Sequence, residues 1–185
     1  SRWCNDPNMT EAVEQEQYPD ANVNSSDPFH QGVGIRRAGS EYGATTKRPR
    51  RVGWLDLPLL RYSKRHTGED VILTKLDVLD QCGEIKICTS YRYDGPRYAI
   101  GERVLTSGDV LDTAVPNYEV LQHCTPQYQT FPGWKERTTG MRSIRELPKN
   151  LRDLVWCVAC PAGAGIRVAM LSVGPDRDQT IPVEN

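Results

Sequence analysis

Lys75 and Asp77, which follow a short apolar run, are the residues of this chain whose types and spacing best suit chemistry. An aspartate at a strand end can accept two adjacent hydrogen bonds, and guanine donates such a pair from its N1–H and N2 amine, whereas adenine does not. The lysine can lay its methylene stem along a base while its ammonium stays in water. Lys-x-Asp also occurs at ordinary strand ends followed by turns, so this pattern alone leaves both interpretations open.

A second candidate segment, residues 43–51, combines a glycine, two threonines and four cationic side chains. Glycine lets the backbone approach an anion closely, and arginine can hold a carboxylate through two parallel hydrogen bonds, so this composition favours carboxylate or phosphate binding. The run Lys47–Arg51 is also typical of a nuclear-localisation or nucleic-acid patch. A solvated charged loop is the third interpretation.

Composition narrows the class of protein. The chain has 185 residues, of which 38% are hydrophobic and 25% are charged, which suits one domain with its own core. A net charge of −1 argues against a general nucleic-acid-binding surface. The apolar stretch 154–173 is interrupted by Pro161 and Arg167, which argues against a membrane span. We therefore predict neither a nucleic-acid nor a membrane partner.

The N-terminus and the cysteines indicate the cell compartment. Residues 1–6 lack the basic region and apolar stretch of a secretory signal, so a cytoplasmic location is predicted. Without an export signal, unevenly spaced cysteines are expected to be reduced and structural. The only close pair, Cys157 and Cys160, has no second ligand pair for zinc, so we predict buried structural cysteines there. The six cysteines are Cys4, Cys82, Cys88, Cys124, Cys157 and Cys160.

Local patterns predict alternating helices and strands. Asp56 as N-cap, Pro58 in the first turn and Gly68 at the end predict a helix between them. Apolar residues at helical spacing predict a second helix from Leu147 to Val158. Strands are predicted at 71–74 (buried), at 85–91, near 98–100 after a turn at Asp94-Gly95, and last at 167–173. Residues 101–130 carry little signal. The alternation favours an α/β architecture.

Six segments of the chain, taken in their order and spacing, resemble sequences of the adenylosuccinate synthetase family, and specifically the C-terminal portion of that family. They are Gly39–Thr46, Gly53–Asp56, Leu73–Asp80, Glu84–Lys86, Pro132–Lys135 and Gly174–Arg177. The resemblance runs from about residue 39 to residue 181 and is weak or absent before it. It implies a P-loop-NTPase-like synthetase fold, incomplete on its N-terminal side, with a mixed or mostly parallel sheet and flanking helices. We expect a poorly ordered polar arm over 1–33 and the synthetase-like domain over 34–185.

The resemblance implies a GTP-dependent ligase that joins IMP and L-aspartate to adenylosuccinate in AMP biosynthesis, with Mg²⁺ accompanying GTP. It further implies a homodimer or association with a complete synthetase subunit. Carried over residue by residue, the aspartate and IMP subsite comprises Ala44, Thr45, Thr46, Lys47, Arg48, Pro49 and Arg50. The GTP subsite comprises Arg50, Lys75, Leu76, Asp77, Ser172, Val173 and Gly174. One departure is that Lys47 stands where the family has a glycine.

The resemblance places no catalytic residue and no metal ligand in this chain, because the family's phosphate loop, catalytic Asp and catalytic His belong to its N-terminal half. Gly163-Ala164-Gly165 is no substitute, since no Lys-Ser/Thr follows it and it ends a predicted helix. Turnover by this chain alone is therefore doubtful. The alternative function is a non-catalytic guanine-nucleotide-binding or scaffold protein derived from the ligase. The third hypothesis is a nucleic-acid-binding module that uses Lys47–Arg51.

Overall fold

The computed structural model describes Asp6 and residues 8–183, which form helices and strands in alternation. The α-helices are α1 (Glu11–Gln17), α2 (Pro28–Ala38), α3 (Leu57–Thr67), α4 (Tyr118–Leu121) and α5 (Lys149–Ala159). The strands are β1 (Leu55–Asp56), β2 (Asp70–Leu73), β3 (Glu84–Tyr93), β4 (Tyr98–Ile100), β5 (Arg103–Leu105), β6 (Val110–Leu111), β7 (Cys124–Pro132), β8 (Arg167–Ser172) and β9 (Thr180–Pro182). Short 3₁₀ helices cover Leu76–Leu79, Ile144–Glu146 and Arg177–Gln179.

The strands form two mixed sheets and a small hairpin. In the first sheet β3 pairs with β1 in parallel and with β6 and β7 in antiparallel orientation. In the second sheet β8 pairs with β2 in parallel and with β9 in antiparallel orientation. The hairpin joins β4 to β5. The predicted mixed α/β fold is confirmed, although antiparallel pairings outnumber parallel ones in the described part of the chain.

Most of the apolar core lies where α3 and α5 meet the two sheets. Leu57 from α3, Ile87 from β3, Leu151 from α5 and Leu171 from β8 are all at most 2% exposed and belong to one cluster. A second cluster, which includes Tyr93, covers the far half of β3 and holds β5, β6 and α4 against it. The burial of these side chains is the main stabilising contribution to the fold.

The predicted helix after Asp56 is confirmed as α3. The Asp56 carboxylate accepts a hydrogen bond of 3.0 Å from the Leu59 backbone N–H, and Gly68 follows the last helical residue with φ of 90°. The Arg61 side chain of this helix donates to the carbonyls of Thr89, Asp112, Ala162 and Gly163 at 2.6 to 3.1 Å. It thereby links α3 to β3 and to two loops.

Three strand predictions need correction in detail. The strand β2 is present but not buried, because Ile72 is 54% exposed on its outer side. The strand β4 is present, but it pairs with β5 and not with β3. The turn at Asp94-Gly95 therefore does not close a hairpin between β3 and β4. The strand β8 is not the last one, since β9 returns beside it. The residues 101–130, which carry little sequence signal, contain β5, β6, α4 and most of β7.

The N-terminal segment also differs from expectation. Residues 11–17 are helical and α2 begins at Pro28, so the described part of 1–33 is not a poorly ordered arm. The physical reason is that both helices have side-chain caps, from Thr10 and Asp27, and that Glu14 and Val33 are fully buried. The domain boundary at residue 34 stays a prediction.

The described cysteines are all free thiols, and Cys4 lies outside the described residues. Burial raises the pKa of Cys82 and of Cys88 to about 11, which keeps both thiols protonated at neutral pH. Cys157 and Cys160 are only half-buried, so the expectation of burial is wrong for this pair. The Cys160 thiol donates to the Cys157 carbonyl at 3.3 Å.

Candidate functional site

The predicted anion-binding loop projects from a short two-stranded stem. Tyr42 and Pro49 form an isolated antiparallel bridge. The Gly43 N–H donates to the Arg48 carbonyl at 2.8 Å, and the Arg50 N–H donates to the Glu41 carbonyl at 2.9 Å. Since these bonds come from residues on either side of Pro49, its missing N–H costs no stem bond. The stem therefore holds residues 44–48, all exposed, as one projecting turn. We call residues 43–50 the aspartate loop.

Two residues explain the shape of this turn. A side chain on Gly43 would place its Cβ 2.7 Å from the Thr46 hydroxyl oxygen, so any other residue would have to displace that hydroxyl from its place in the turn. Lys47 has a φ of 55°, which is in the left-handed region that glycine adopts without cost. Lys47, which stands where the family has a glycine, therefore adopts the same left-handed backbone conformation that glycine favours, with some strain.

A buried polar cluster supports the stem from below. Glu14 is 0% exposed and accepts hydrogen bonds from the Arg36 guanidinium and the Tyr42 hydroxyl. The Nε of Arg36 also donates to the Arg50 carbonyl at 2.7 Å. Burial, together with the bond to Glu14, raises the pKa of Tyr42, so this phenol stays protonated. The helices α1 and α2 thus fix both ends of the aspartate loop.

Lys75 and Asp77 lie where the chain leaves β2. Lys75 has a φ of 60°, and this left-handed residue turns the chain directly into the 3₁₀ helix Leu76–Leu79. A non-glycine residue in this region is strained, and such strain is concentrated at ligand sites. The turn buries Leu76 in the core and sends Lys75 outward, where its Nζ donates to the Gly39 carbonyl at 2.8 Å.

A cavity of about 360 Å³ opens beside this turn. Its volume falls in the lower part of the range typical of small-molecule sites. Asp77 lies in its wall, and Asp77 Oδ1 is buried without a hydrogen-bond partner. Since buried polar atoms are nearly always paired, this oxygen is an acceptor for which the described residues supply no donor. The cavity is lined by Ala38, Gly39, Ser40, Lys75, Asp77, Val78, Gly174 and Pro175.

The opposite wall is the turn after β8. The Ser172 hydroxyl donates to the Gly174 carbonyl at 3.0 Å. A Cβ on Gly174 would lie 2.1 Å from the side-chain oxygen of Gln179, so only glycine fits here. Gln179 in turn accepts from the Asp176 N–H at 2.9 Å and completes a capping box on the 3₁₀ helix Arg177–Gln179. This turn therefore keeps one wall of the cavity in place.

The structure thus brings together some of the predicted nucleotide-binding residues and separates others. Lys75, Asp77 and Gly174 share the cavity, whereas Leu76 and Val173 have their side chains in the core. Ser172 lies behind Gly174 and is not part of the lining. We therefore expect any contribution of Leu76 or Val173 to come from the backbone.

Glu41 connects the cavity with the aspartate loop, and its role is not evident from the sequence. Its carboxylate accepts from Lys75 Nζ and, at 3.2 Å, from Arg50 Nη1. The hydrogen bond from Lys75 holds the pKa of Glu41 below its usual range, against a smaller opposing effect of burial. One signal in the sequence could have pointed to Glu41. It is an acidic residue two positions before Gly43, and both predicted subsites contain cationic residues with which it could pair.

The described residues contain no group of three or more His, Cys, Asp or Glu side chains placed to hold a metal ion. They therefore present no complete protein ligand set for Mg²⁺, which proteins commonly hold with one or two carboxylates and the phosphates of a nucleotide. Within the same residues, no helix is both long and apolar enough to cross a membrane.

Comparison with known proteins first gives the class. The fold resembles the solved structure of a ligase, the fully ligated adenylosuccinate synthetase from Plasmodium falciparum. The TM-score is 0.73 at 31% sequence identity, and the match covers 86% of this chain and 35% of that one.

The sequence then gives the family. The family model for adenylosuccinate synthetase matches residues 1–181, so the chain belongs to the adenylosuccinate synthetase family. Adenylosuccinate synthetases of Bacillus cereus and of a Geobacter species are 42% and 43% identical over 160 and 155 residues. These matches cover 85% and 83% of this chain. The resemblance in the six sequence segments is confirmed.

These matches also define how far the family resemblance extends along this chain and along its relatives. The family model includes residues 1–38, so the expectation that family resemblance is weak or absent before residue 39 is wrong. The chain spans about a third of the length of the curated relatives it matches, since the alignments cover 34% and 32% of them. The activity of the whole relatives is therefore a proposal for this chain.

Proposed function

We propose that this chain carries the guanine and aspartate half-sites of a GTP-dependent ligase that joins IMP and L-aspartate to adenylosuccinate in AMP biosynthesis. GTP, IMP and L-aspartate are its proposed ligands, with Mg²⁺ accompanying GTP. The proposed assembly is a homodimer or a complex with a complete synthetase subunit, and the proposed location is the cytoplasm. Family membership supports the reaction, and the cavity beside β2 supports the guanine half-site.

The observation that carries the guanine proposal is the unpaired Oδ1 of Asp77 in the cavity wall. A carboxylate accepts hydrogen bonds and donates none, so it suits the adjacent N1–H and N2 amine of guanine. Lys75 lines the cavity and donates to the Gly39 carbonyl, and its methylene stem can cover one face of a base. Gly174 contributes backbone to the same lining.

The aspartate half-site is supported by the exposure and charge of the aspartate loop. Thr45, Thr46, Lys47 and Arg48 are exposed on a turn whose ends are held by the stem and by the Glu14 cluster. Fixed ends reduce the entropy that the loop loses when it orders around a small dicarboxylate. Arg48 and the threonine hydroxyls supply the donors that two carboxylates need. Ala44 and Pro49 contribute backbone.

The non-catalytic alternative shares these half-sites and differs only in turnover. No catalytic residue is assigned in this chain, because the groups that perform phosphoryl transfer in the family are expected outside it. An assay of the pure chain with IMP, GTP, Mg²⁺ and L-aspartate separates the two functions. Formation of adenylosuccinate would contradict the non-catalytic alternative, and its absence with intact GDP binding would contradict turnover by this chain alone.

The binding test is calorimetric titration of the full chain with GDP and, separately, with ADP. We expect GDP to bind at least about tenfold more tightly, because ADP would leave the Asp77 carboxylate unpaired. Asp153, an exposed acid on α5 that pairs with Lys149, provides the matched control. Asp153→Asn should leave both affinities unchanged. Equal affinities for GDP and ADP, or no binding of either, would contradict the guanine half-site.

A further inference from the structure

Glu41 holds two cations that the proposed function assigns to one nucleotide. Its Oε1 accepts from Lys75, beside the cavity, and its Oε2 accepts from Arg50, at the end of the aspartate loop. The Glu41 side chain is 22% exposed, and its pKa is lowered chiefly by the bond from Lys75. An ionised carboxylate therefore pairs with both cations before any ligand arrives, and it offsets one of their two positive charges.

The two contacts of Glu41 differ in how easily a ligand can replace them. Lys75 is held by a second acceptor, the Gly39 carbonyl at 2.8 Å. The Arg50 side chain is 56% exposed, and its guanidinium contact with Glu41 is 3.2 Å long. Exposed ion pairs contribute little stability, whereas arginine binds phosphate through strong bidentate hydrogen bonds. A phosphate anion can therefore take Arg50 from Glu41 while Lys75 stays in place.

This exchange would act on the aspartate loop, because Glu41 and Arg50 are the two ends of its stem. Their backbones are joined by the 2.9 Å bond from the Arg50 N–H to the Glu41 carbonyl, and their side chains form a second link. Removing the side-chain link leaves the stem with its backbone bonds, from Arg50 to Glu41 and from Gly43 to Arg48, and with the Arg36 bond to the Arg50 carbonyl.

We propose that Glu41 couples the nucleotide site to the aspartate loop: the nucleotide phosphates displace its carboxylate from Arg50 and so loosen the stem of residues 43–50. This inference rests on the proposed function and on the family resemblance, which places both Lys75 and Arg50 in the GTP subsite. It makes Glu41 a positioning residue that acts through Arg50 and Lys75.

The test uses the full chain and measures amide hydrogen exchange at Gly43, Lys47 and Arg50, with inorganic pyrophosphate and with GDP as probes. In the unmodified chain, pyrophosphate should speed exchange at these amides. In Glu41→Gln the exchange should already be fast, and pyrophosphate should add nothing. Calorimetry should show pyrophosphate binding about two- to fivefold tighter to Glu41→Gln, because the competing charge is gone. Asp153→Asn should behave like the unmodified chain.

The outcomes separate this proposal from the proposed function. Equal responses of the unmodified chain and Glu41→Gln to pyrophosphate, or weaker binding to the variant, would overturn the coupling. Arg50→Gln, which removes the other partner, should abolish the effect of pyrophosphate, and a persisting effect would also overturn it. If GDP and ADP bind alike while pyrophosphate acts as expected, the guanine half-site fails and the coupling stands. Selective GDP binding without any change in the loop would refute the coupling alone.

Discussion

Asp77 and Asp80 are two carboxylates three residues apart on the same turn, and their surroundings are opposite. Asp80 is 5% exposed and accepts from the Trp134 indole at 2.8 Å and from the Thr138 N–H and hydroxyl at 2.8 and 2.9 Å. Asp77 lines the cavity, and its Oδ1 has no partner. The difference lies in what distant segments bring to each residue, since the donors to Asp80 come from residues 134–138.

The comparison separates a structural carboxylate from a binding one. A buried carboxylate with three hydrogen bonds fixes the segments that donate them, and here it ties the nucleotide-binding turn to the chain after β7. An unpaired buried acceptor costs folding free energy and is retained where a ligand supplies the donor. Asp80 therefore positions the turn that carries Asp77, from which, in the proposed function, Asp77 would meet the base.

Asp80→Ala is the change from which we expect the largest effect. It leaves the Trp134 indole N–H and both Thr138 donors buried without an acceptor, which should lower the free energy of unfolding by about 3–4 kcal/mol. Urea denaturation measures the loss as a lower midpoint. Asp153→Ala, on an exposed part of α5, should cost less than about 0.5 kcal/mol. A cost for Asp80→Ala as small as the control's would remove the structural half of the comparison.

Asp77→Asn should have its main effect on binding. Replacing one carboxylate oxygen with an amine puts a donor opposite a donor of guanine, so GDP affinity should fall by about 2–3 kcal/mol. Xanthine nucleotides, which offer an acceptor there, should bind the variant better than guanine nucleotides do. Calorimetric titrations with GDP and XDP measure both effects. The urea midpoint should not fall, since Oδ1 has no partner to lose. Unchanged GDP affinity would be incompatible with a base-binding Asp77.

The sequence predicted the parts of the fold that local chemistry determines. The limits of α3 follow from Asp56, Pro58 and Gly68, and α5 follows from apolar residues at helical spacing. The strand β3 was predicted from its alternation of apolar and polar residues. A register shift between Cys88 and Ser90 interrupts this alternation, and Cys88 is buried where the pattern predicts an exposed side chain. The family resemblance identified three residues of the cavity, Lys75, Asp77 and Gly174, which no periodicity would have brought together.

What the sequence did not predict depends on long-range contacts. The strand β7 reads Cys-Thr-Pro-Gln-Tyr-Gln-Thr-Phe-Pro, and its mostly exposed, polar residues show no apolar alternation. It is a strand because β3 pairs with it along its length. Glu14 is comparable, since a glutamate in a polar segment is expected in water and is buried here only because Arg36 and Tyr42 meet it.

Thr138→Val gives the smallest and most specific test of the comparison. Thr138 is 0% exposed, and valine has nearly the same shape, so the change removes the hydroxyl donor to Asp80 and keeps the backbone donor at 2.8 Å. A hydrogen bond to a charged group contributes about 1.5 kcal/mol, which for a chain of this length corresponds to a fall in Tm of about 4 °C.

Thr130→Val, at an exposed position of β7, is the matched control and should change Tm little. GDP affinity should stay the same in both variants, because neither threonine lines the cavity. A loss as large as that of Asp80→Ala would mean that the Thr138 hydroxyl alone, and not the set of three donors, accounts for the contribution of Asp80 to stability. A loss of GDP affinity without a loss of stability would place Asp80 on the binding side of the comparison.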